Sequence, residues 1–199
     1  MPRLLVATTN RGKVAEYGSL LVGLDIELIT LDQADISQEA REDYNTFAEN
    51  ARSKAEFYAG LSGLLTLADD SGLEVDALGG EPGVRSSRYA GDNASDSDRV
   101  NFLLDKLKAV PLEKRQARFK CVIAIAAPGG YLKMASGECE GMIALEPRGL
   151  NGFGYDPVFY LPQYGKTIAE ITTELKNEIS HRGRAAVKAR AILADLLPK

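Results

Sequence analysis

The chain has no tryptophan, one histidine and two cysteines among its 199 residues. Cys121 and Cys139 form no CxxC-type pair, which excludes a zinc ribbon or a thiol redox motif, and both read as small buried apolar residues. No apolar stretch approaches the ~20 residues that a membrane span requires. The opening MPRLLVATTN carries one arginine and an apolar run too short for the core of a signal peptide. An excess of positive charge is lacking too: 24 Lys and Arg face 28 Asp and Glu, for a net charge of −4. That balance argues against a nucleic-acid polymer as partner but leaves open a small polyanion in a locally basic pocket. Repeats, low-complexity tracts and Gly/Ser/Pro-rich linkers are also missing. These absences predict a soluble, cytoplasmic protein built as one domain over residues 1–199, long enough to bury a sizeable core.

What is there alternates strand and helix. RLLVATTN reads as a first strand ending in turn formers, and GKVAEYGSLLVGL as a helix with Val14, Tyr17, Leu20 and Leu21 at helical spacing. DIELITL is a second strand. Thr46 and Glu49 fit a capping box that opens a helix to about Leu61, closed by Gly63. LLTLA reads as a strand that ends at Asp69–Asp70 and turns on Ser71–Gly72. DSDRVNFLLDKLKAV is a helix with Asp96 as N-cap, ARFKCVIAIAAP a long strand, and LKMASGECEGMIAL a further pair. Ser180 opens a C-terminal alanine-rich helix. Alternation first and clustered strands later predict an α/β fold with a mixed sheet.

Four stretches carry candidate chemistry. TTNRGK, Thr8 to Lys13, lies between a strand and a helix, where backbone amides and a lysine suit a phosphate. It lacks the glycine pattern of a Walker A loop, and a solvated N-cap turn is the plain alternative. Asp69 and Asp70 are adjacent carboxylates that raise each other's pKa unless a cation compensates. Mg²⁺ with one or two carboxylates and substrate phosphates fits them; a turn in which one aspartate caps the backbone is the rival reading. Glu42 and Asp43 are possible further ligands. In GLNGFGYDPVFYLP, Phe153 or Tyr155 can stack on a flat ligand and Asp156 can accept from a ring N–H, although a core edge or dimer interface would look similar. Finally, Lys176, His181, Arg182 and Arg184 crowd basic charge at a helix N-terminus, where the dipole disfavours it and a bound anion would relieve it.

Together these stretches resemble the non-canonical purine nucleoside triphosphate pyrophosphatases, the inosine triphosphate pyrophosphatase family. The family pattern T-x-N-x-x-K, D-D-S-G-L with G-G-x-P-G, F-G-Y-D-P and S-H-R recurs here, in order, as TTNRGK, DDSGLEVDALGGEPG, NGFGYDP and SHR. Only Asn151 stands where some members carry Gly. The resemblance implies hydrolysis of ITP, dITP and XTP to the monophosphate and pyrophosphate, with Mg²⁺, by a homodimer. It also implies a two-lobed fold with a long mixed sheet and the active site in a cleft between lobes. Carried over by motif, Thr8, Thr9, Asn10, Arg11, Gly12 and Lys13 line the triphosphate. Asp70 is the catalytic carboxylate and metal ligand, Asp69 its supporting neighbour, Glu42 the second metal carboxylate, Ser71 a substrate contact and Lys54 a weaker phosphate contact. Phe153, Gly154, Tyr155 and Asp156 hold the base, while Lys176, His181 and Arg182 close the site.

Base choice then follows from Asp156 facing N1–H and Arg182 donating to O6, groups left unpaired against adenine. Two rivals are a Maf-like pyrophosphatase with another base preference and a nucleotide sensor without turnover.

Overall fold

The structure is a computed structural model in which residues 1–196 are described. Its elements, in chain order, are β1 (Arg3–Val6), α1 (Arg11–Leu20), β2 (Glu27–Thr30), α2 (Phe47–Ser62), β3 (Leu65–Val75), α3 (Asp96–Lys106), β4 (Gln116–Ala127), β5 (Tyr131–Ile143), β6 (Phe159–Leu161), β7 (Lys166–Thr167), α4 (Thr173–Ile179) and α5 (His181–Leu196). The strands hydrogen-bond in the order β2-β1-β3-β4-β5-β6-β7. β1 pairs in parallel with β2 and β3, whereas β6 pairs antiparallel with β5 and β7, so the sheet is mixed and the fold α/β, as expected.

The chain divides into two compact units. The first comprises Met1–Asp70, Cys121–Gly137 and the stretch from His181; the second comprises Ser71–Lys120 and Glu138–Ser180. In the first unit the central strands carry apolar side chains on both faces, because both faces are covered. Leu4, Val6, Leu67, Cys121, Ile123 and Ile125 face a core with Tyr17 of α1 and Ala185, Ala189 and Leu193 of α5. Leu5, Ala7, Ala68, Ala124 and Ala126 face the opposite core with Ala51, Ala55 and Tyr58 of α2. Arg190 of α5 donates to the Leu20 and Val22 carbonyls, capping the end of α1. The second unit has its own core, in which Leu103 and Leu107 pack with Phe119, Tyr155, Phe159 and Leu161.

Several local expectations are corrected. β3 does not stop at the aspartate pair; it runs straight through Asp69, Asp70, Ser71 and Gly72 to Val75. Each carboxylate finds partners on its own face of the sheet, so the backbone has no need to turn. The stretch around β5 is one strand rather than two. Its interior glycines mark close approaches, since a Cβ at Gly137 would meet the His181 carbonyl oxygen at 2.2 Å. The N-cap of α3 is Ser95, reciprocated by Asp98, because its hydroxyl reaches the third helical amide; Asp96 is left for another task. At α2, Thr46 caps as foreseen, but Glu49 answers to the threonine hydroxyl at 2.7 Å. No helix among the described residues is long and apolar enough to cross a membrane.

Candidate active site

The turn into α1 is shaped by its own side chains. Thr8 Oγ1 accepts from the Asn10 amide and Asn10 Oδ1 from the Lys13 amide, at 3.2 and 3.1 Å. Asn10 is therefore the N-cap, and Arg11 and Gly12 begin a helix whose first turn holds no acidic residue. First-turn amides have no acceptor within their own helix, so this end offers donors and a positive dipole.

From that turn Lys13 reaches Asp69 of β3, Nζ to Oδ2 at 2.9 Å. The Arg182 guanidinium, at the start of α5, lies 3.5 Å from the same oxygen and pairs on its other side with Glu16. Cys121 Sγ lies 3.7 Å from Asp69 Oδ2. The Asp69 side chain is fully buried. Burial pushes its pKa up, but Lys13, Arg182 and Lys54 outweigh burial and hold the carboxyl far below its usual range. Burial lifts the neighbouring thiol of Cys121 to about 12, with Asp69 adding to it, so this cysteine is inert. Oδ1 of Asp69 has no hydrogen-bond partner among the described residues.

Asp70 points the other way, because successive side chains of a strand take opposite faces. It meets α2, where Asn50 Nδ2 donates to Asp70 Oδ2 at 2.9 Å. Burial raises the Asp70 pKa; Lys13, Lys54 and the Asn50 bond oppose it, and the adjacent Asp69 comes last among the causes. Like-charge repulsion, which the adjacency in sequence suggests, is thus the minor effect.

One turn along α2 from Asn50, Lys54 is buried and donates to the Asp69 carbonyl at 3.0 Å. Its Nζ also lies 3.0 Å from Glu42 Oε1. Burial lowers the Lys54 pKa, yet Glu42 and Asp69 overcome this and leave it raised. Asn50 does double duty: its Oδ1 accepts from the Tyr44 amide at 3.1 Å, while Tyr58 Oη donates to the Gln38 carbonyl at 3.1 Å. Two residues of α2 thus hold the irregular segment that carries Glu42. Asp43 is drawn instead to Arg41, at 2.9 Å.

Among the described residues, no three His, Cys, Asp or Glu side chains converge on a metal by themselves. Glu42 and Asp70 nevertheless fit a divalent ion that completes its shell with water and substrate oxygens, the usual habit of Mg²⁺. Both are oxygen donors, and both act on the same Lys54 ammonium.

The second unit brings together the FGYDP loop and α4. Asp156 Oδ2 accepts from Lys176 Nζ at 2.6 Å and from the Phe153 amide at 2.9 Å. The Lys176 ammonium lies 4.9 Å from the centre of the Phe153 ring. Tyr155 is a core residue, with its ring buried and its hydroxyl donating to the Ser86 carbonyl at 2.9 Å. Of the two aromatics in this loop, Phe153 is the one that stays half-buried outside the core. Asp156 is occupied in shaping its own loop, and Arg182 is held between Asp69 and Glu16 in the first unit. His181 is buried at the start of α5, and Ser71 is a half-buried strand residue. Glu16, Asn50 and Asp96 were missed from sequence. Asn50 and Lys54 had left a signal, as polar residues four apart on the otherwise apolar stripe of α2.

Fold, motif order and site agree with one lineage, and the chain belongs to the Ham1 family, which matches residues 4–192. The dITP/XTP pyrophosphatase of Geobacter sulfurreducens is 51% identical over 197 residues, spanning 99% of this chain and 97% of its own. That of Desulforamulus reducens is 50% identical over 194 residues, spanning 98% and 96%. Among solved structures, a HAM1 protein from Coxiella burnetii superposes with a TM-score of 0.87 at 43% identity, covering 98% of this chain and 100% of its own. The Staphylococcus aureus Ham1 protein gives 0.86 at 39% identity, with the same coverage.

Proposed function

We propose that the protein hydrolyses non-canonical purine nucleoside triphosphates, with dITP, ITP and XTP as substrates, to the monophosphate and pyrophosphate. The observation that carries this reading is the meeting of Lys13, Lys54, Asp69 and Asp70 at one point of β3, beside the open end of α1. Phosphoanhydride hydrolysis needs positioning and charge neutralisation more than covalent chemistry. The α1 turn, Thr8 to Gly12, supplies amide donors to the phosphates, and Lys13 adds a cation that Asp69 holds in place. Lys54 adds a second.

A Mg²⁺ ion held by Glu42 and Asp70 would neutralise phosphate charge and lower the pKa of a bound water. Asp70 orients the attacking water and accepts its proton. Its raised pKa suits that task, since a carboxylate of ordinary pKa is a weak base.

Base reading falls to the second unit. Phe153 offers a face for the purine. Lys176, whose ammonium is set by Asp156 and lies beside the Phe153 ring, donates to the 6-oxo group. Adenine presents an amino group there, a donor facing a donor, and a mismatch of this kind can discriminate by about 10⁴. The chain acts as one catalytic domain, in a cytoplasmic homodimer. A Maf-like preference is not favoured, given the names of the relatives and the FGYDP and SHR motifs.

The test is pyrophosphate release from ITP, dITP, XTP, GTP, ATP and dTTP, each with Mg²⁺ and with chelator. Metal-dependent release confined to the first three is expected. Release from dTTP or ATP at similar rates would remove the base-reading half, and binding without release would make the protein a sensor.

A further inference from the structure

The carboxylate of Asp96 takes no part in capping α3. Instead, Oδ2 accepts from the backbone amide of Gly154 at 2.7 Å, across 58 positions of chain. Its other oxygen pairs with Arg99 one helical turn on. Arg99 is fixed in turn, donating to the carbonyls of Ser87 at 3.0 Å and Ala94 at 2.5 Å. The Phe153 amide meanwhile donates to Asp156. Two consecutive amides, those of Phe153 and Gly154, are therefore each captured by a carboxylate from a different part of the second unit. Gly154 has φ 61°, a left-handed conformation that glycine adopts without strain.

We propose that Asp96, braced by Arg99, is a positioning residue for base recognition: it locks the Phe153–Gly154 peptide so that the Phe153 ring meets the purine face. The inference rests on the base-reading role given above to Phe153 and Lys176. Asp156 sets the loop from the Lys176 side, and Asp96 sets it from α3. Releasing the second tether lets the peptide rotate and the ring leave its place, which weakens base binding without touching the phosphate chemistry. Capping of α3 by Ser95 and Asp98 is independent of Asp96, so the helix survives its replacement.

The experiment compares wild type, Asp96→Ala and Asp96→Asn. KM and kcat are measured on ITP, and calorimetry measures binding of inosine monophosphate and of inorganic tripolyphosphate, which has no base. Asp96→Ala is expected to raise KM and weaken inosine monophosphate roughly tenfold, about the loss of one charge-assisted hydrogen bond. Its kcat and tripolyphosphate affinity should stay within twofold. Asp96→Asn keeps an oxygen acceptor and should recover much of the loss. Unchanged inosine monophosphate affinity in Asp96→Ala, or equal loss of both ligands, overturns the clamp while leaving the proposed function standing. A wild-type protein that binds tripolyphosphate but not inosine monophosphate overturns base reading itself, and the clamp with it.

Discussion

The two faces of β3 treat identical side chains in opposite ways. On the α1/α5 face, Asp69 is buried among Lys13, Arg182 and, through Arg182, Glu16, and its pKa is driven down. On the α2 face, Asp70 meets a neutral amide, Asn50, and its pKa is raised chiefly by burial. They are adjacent in the chain, yet one is an anion stabilised by cations and the other is held in a state it does not favour. Adjacent carboxylates are often read as a pair sharing one task. In a strand, the two-residue period splits them, and the elements packed on each face decide what each becomes. Under the proposed function, Asp69 anchors the cations offered to phosphate, while Asp70 is kept reactive at some cost in stability.

The contrast is broken most sharply by removing one charge at a time. Asp70→Asn should lower ITP turnover by about 10³-fold, in the range of a lost general base, with nucleotide binding largely kept. Its stability should equal or exceed that of wild type, since it relieves a buried charge of raised pKa. Retained turnover would take Asp70 out of its proposed role.

Asp69→Asn should instead cost about 3–5 kcal/mol in urea unfolding, the usual result of stripping the partner from buried cations. The pH dependence has opposite signs at the two sites. Asp69, with a lowered pKa, contributes stability that is present above its ordinary value of 3.8 and is lost as the pH falls toward its folded value. Asp70, with a raised pKa, contributes stability that is present below 3.8 and is lost as the pH rises through its folded value. Urea titrations across this range should therefore show Asp69→Asn with a shallower acid limb than wild type, and Asp70→Asn with its advantage confined to the less acidic side. Parallel curves for the three proteins would contradict the split.

A smaller effect sharpens the comparison from the α2 side. Asn50→Ala removes the donor to Asp70 and the acceptor for the Tyr44 amide together. A stability loss of about 1–3 kcal/mol is expected for these buried groups. A raised Mg²⁺ requirement for turnover should accompany it, because the segment bearing Glu42 loosens. An unchanged Mg²⁺ requirement would separate Asn50 from the metal carboxylates.

Much of this molecule was legible before its structure. β1, α1, α2 and β4 follow from apolar runs, helical spacing and caps that act locally, and the order of four motifs placed the family. The two strand boundaries that failed share one cause. Asp69–Asp70 and Gly137 look like turn signals, but their partners come from α1, α2 and α5, distant in sequence, and tertiary contacts override local preference. The same limit hid Asp96, whose acceptor role depends on Gly154, and the contacts of Arg182 with Asp69 and Glu16. The signal that was readable and passed over is Asn50, which with Lys54 puts a polar side chain on a buried helical stripe.

The most direct measurement takes Asp69→Asn and Asp70→Asn through urea unfolding and ITP turnover in parallel at pH 7. A crossing is predicted: Asp70→Asn the worse in turnover and the better in stability, Asp69→Asn the reverse in stability with residual turnover. Two variants that fall together in both assays, or stand in the same order in both, would contradict a division of labour across β3.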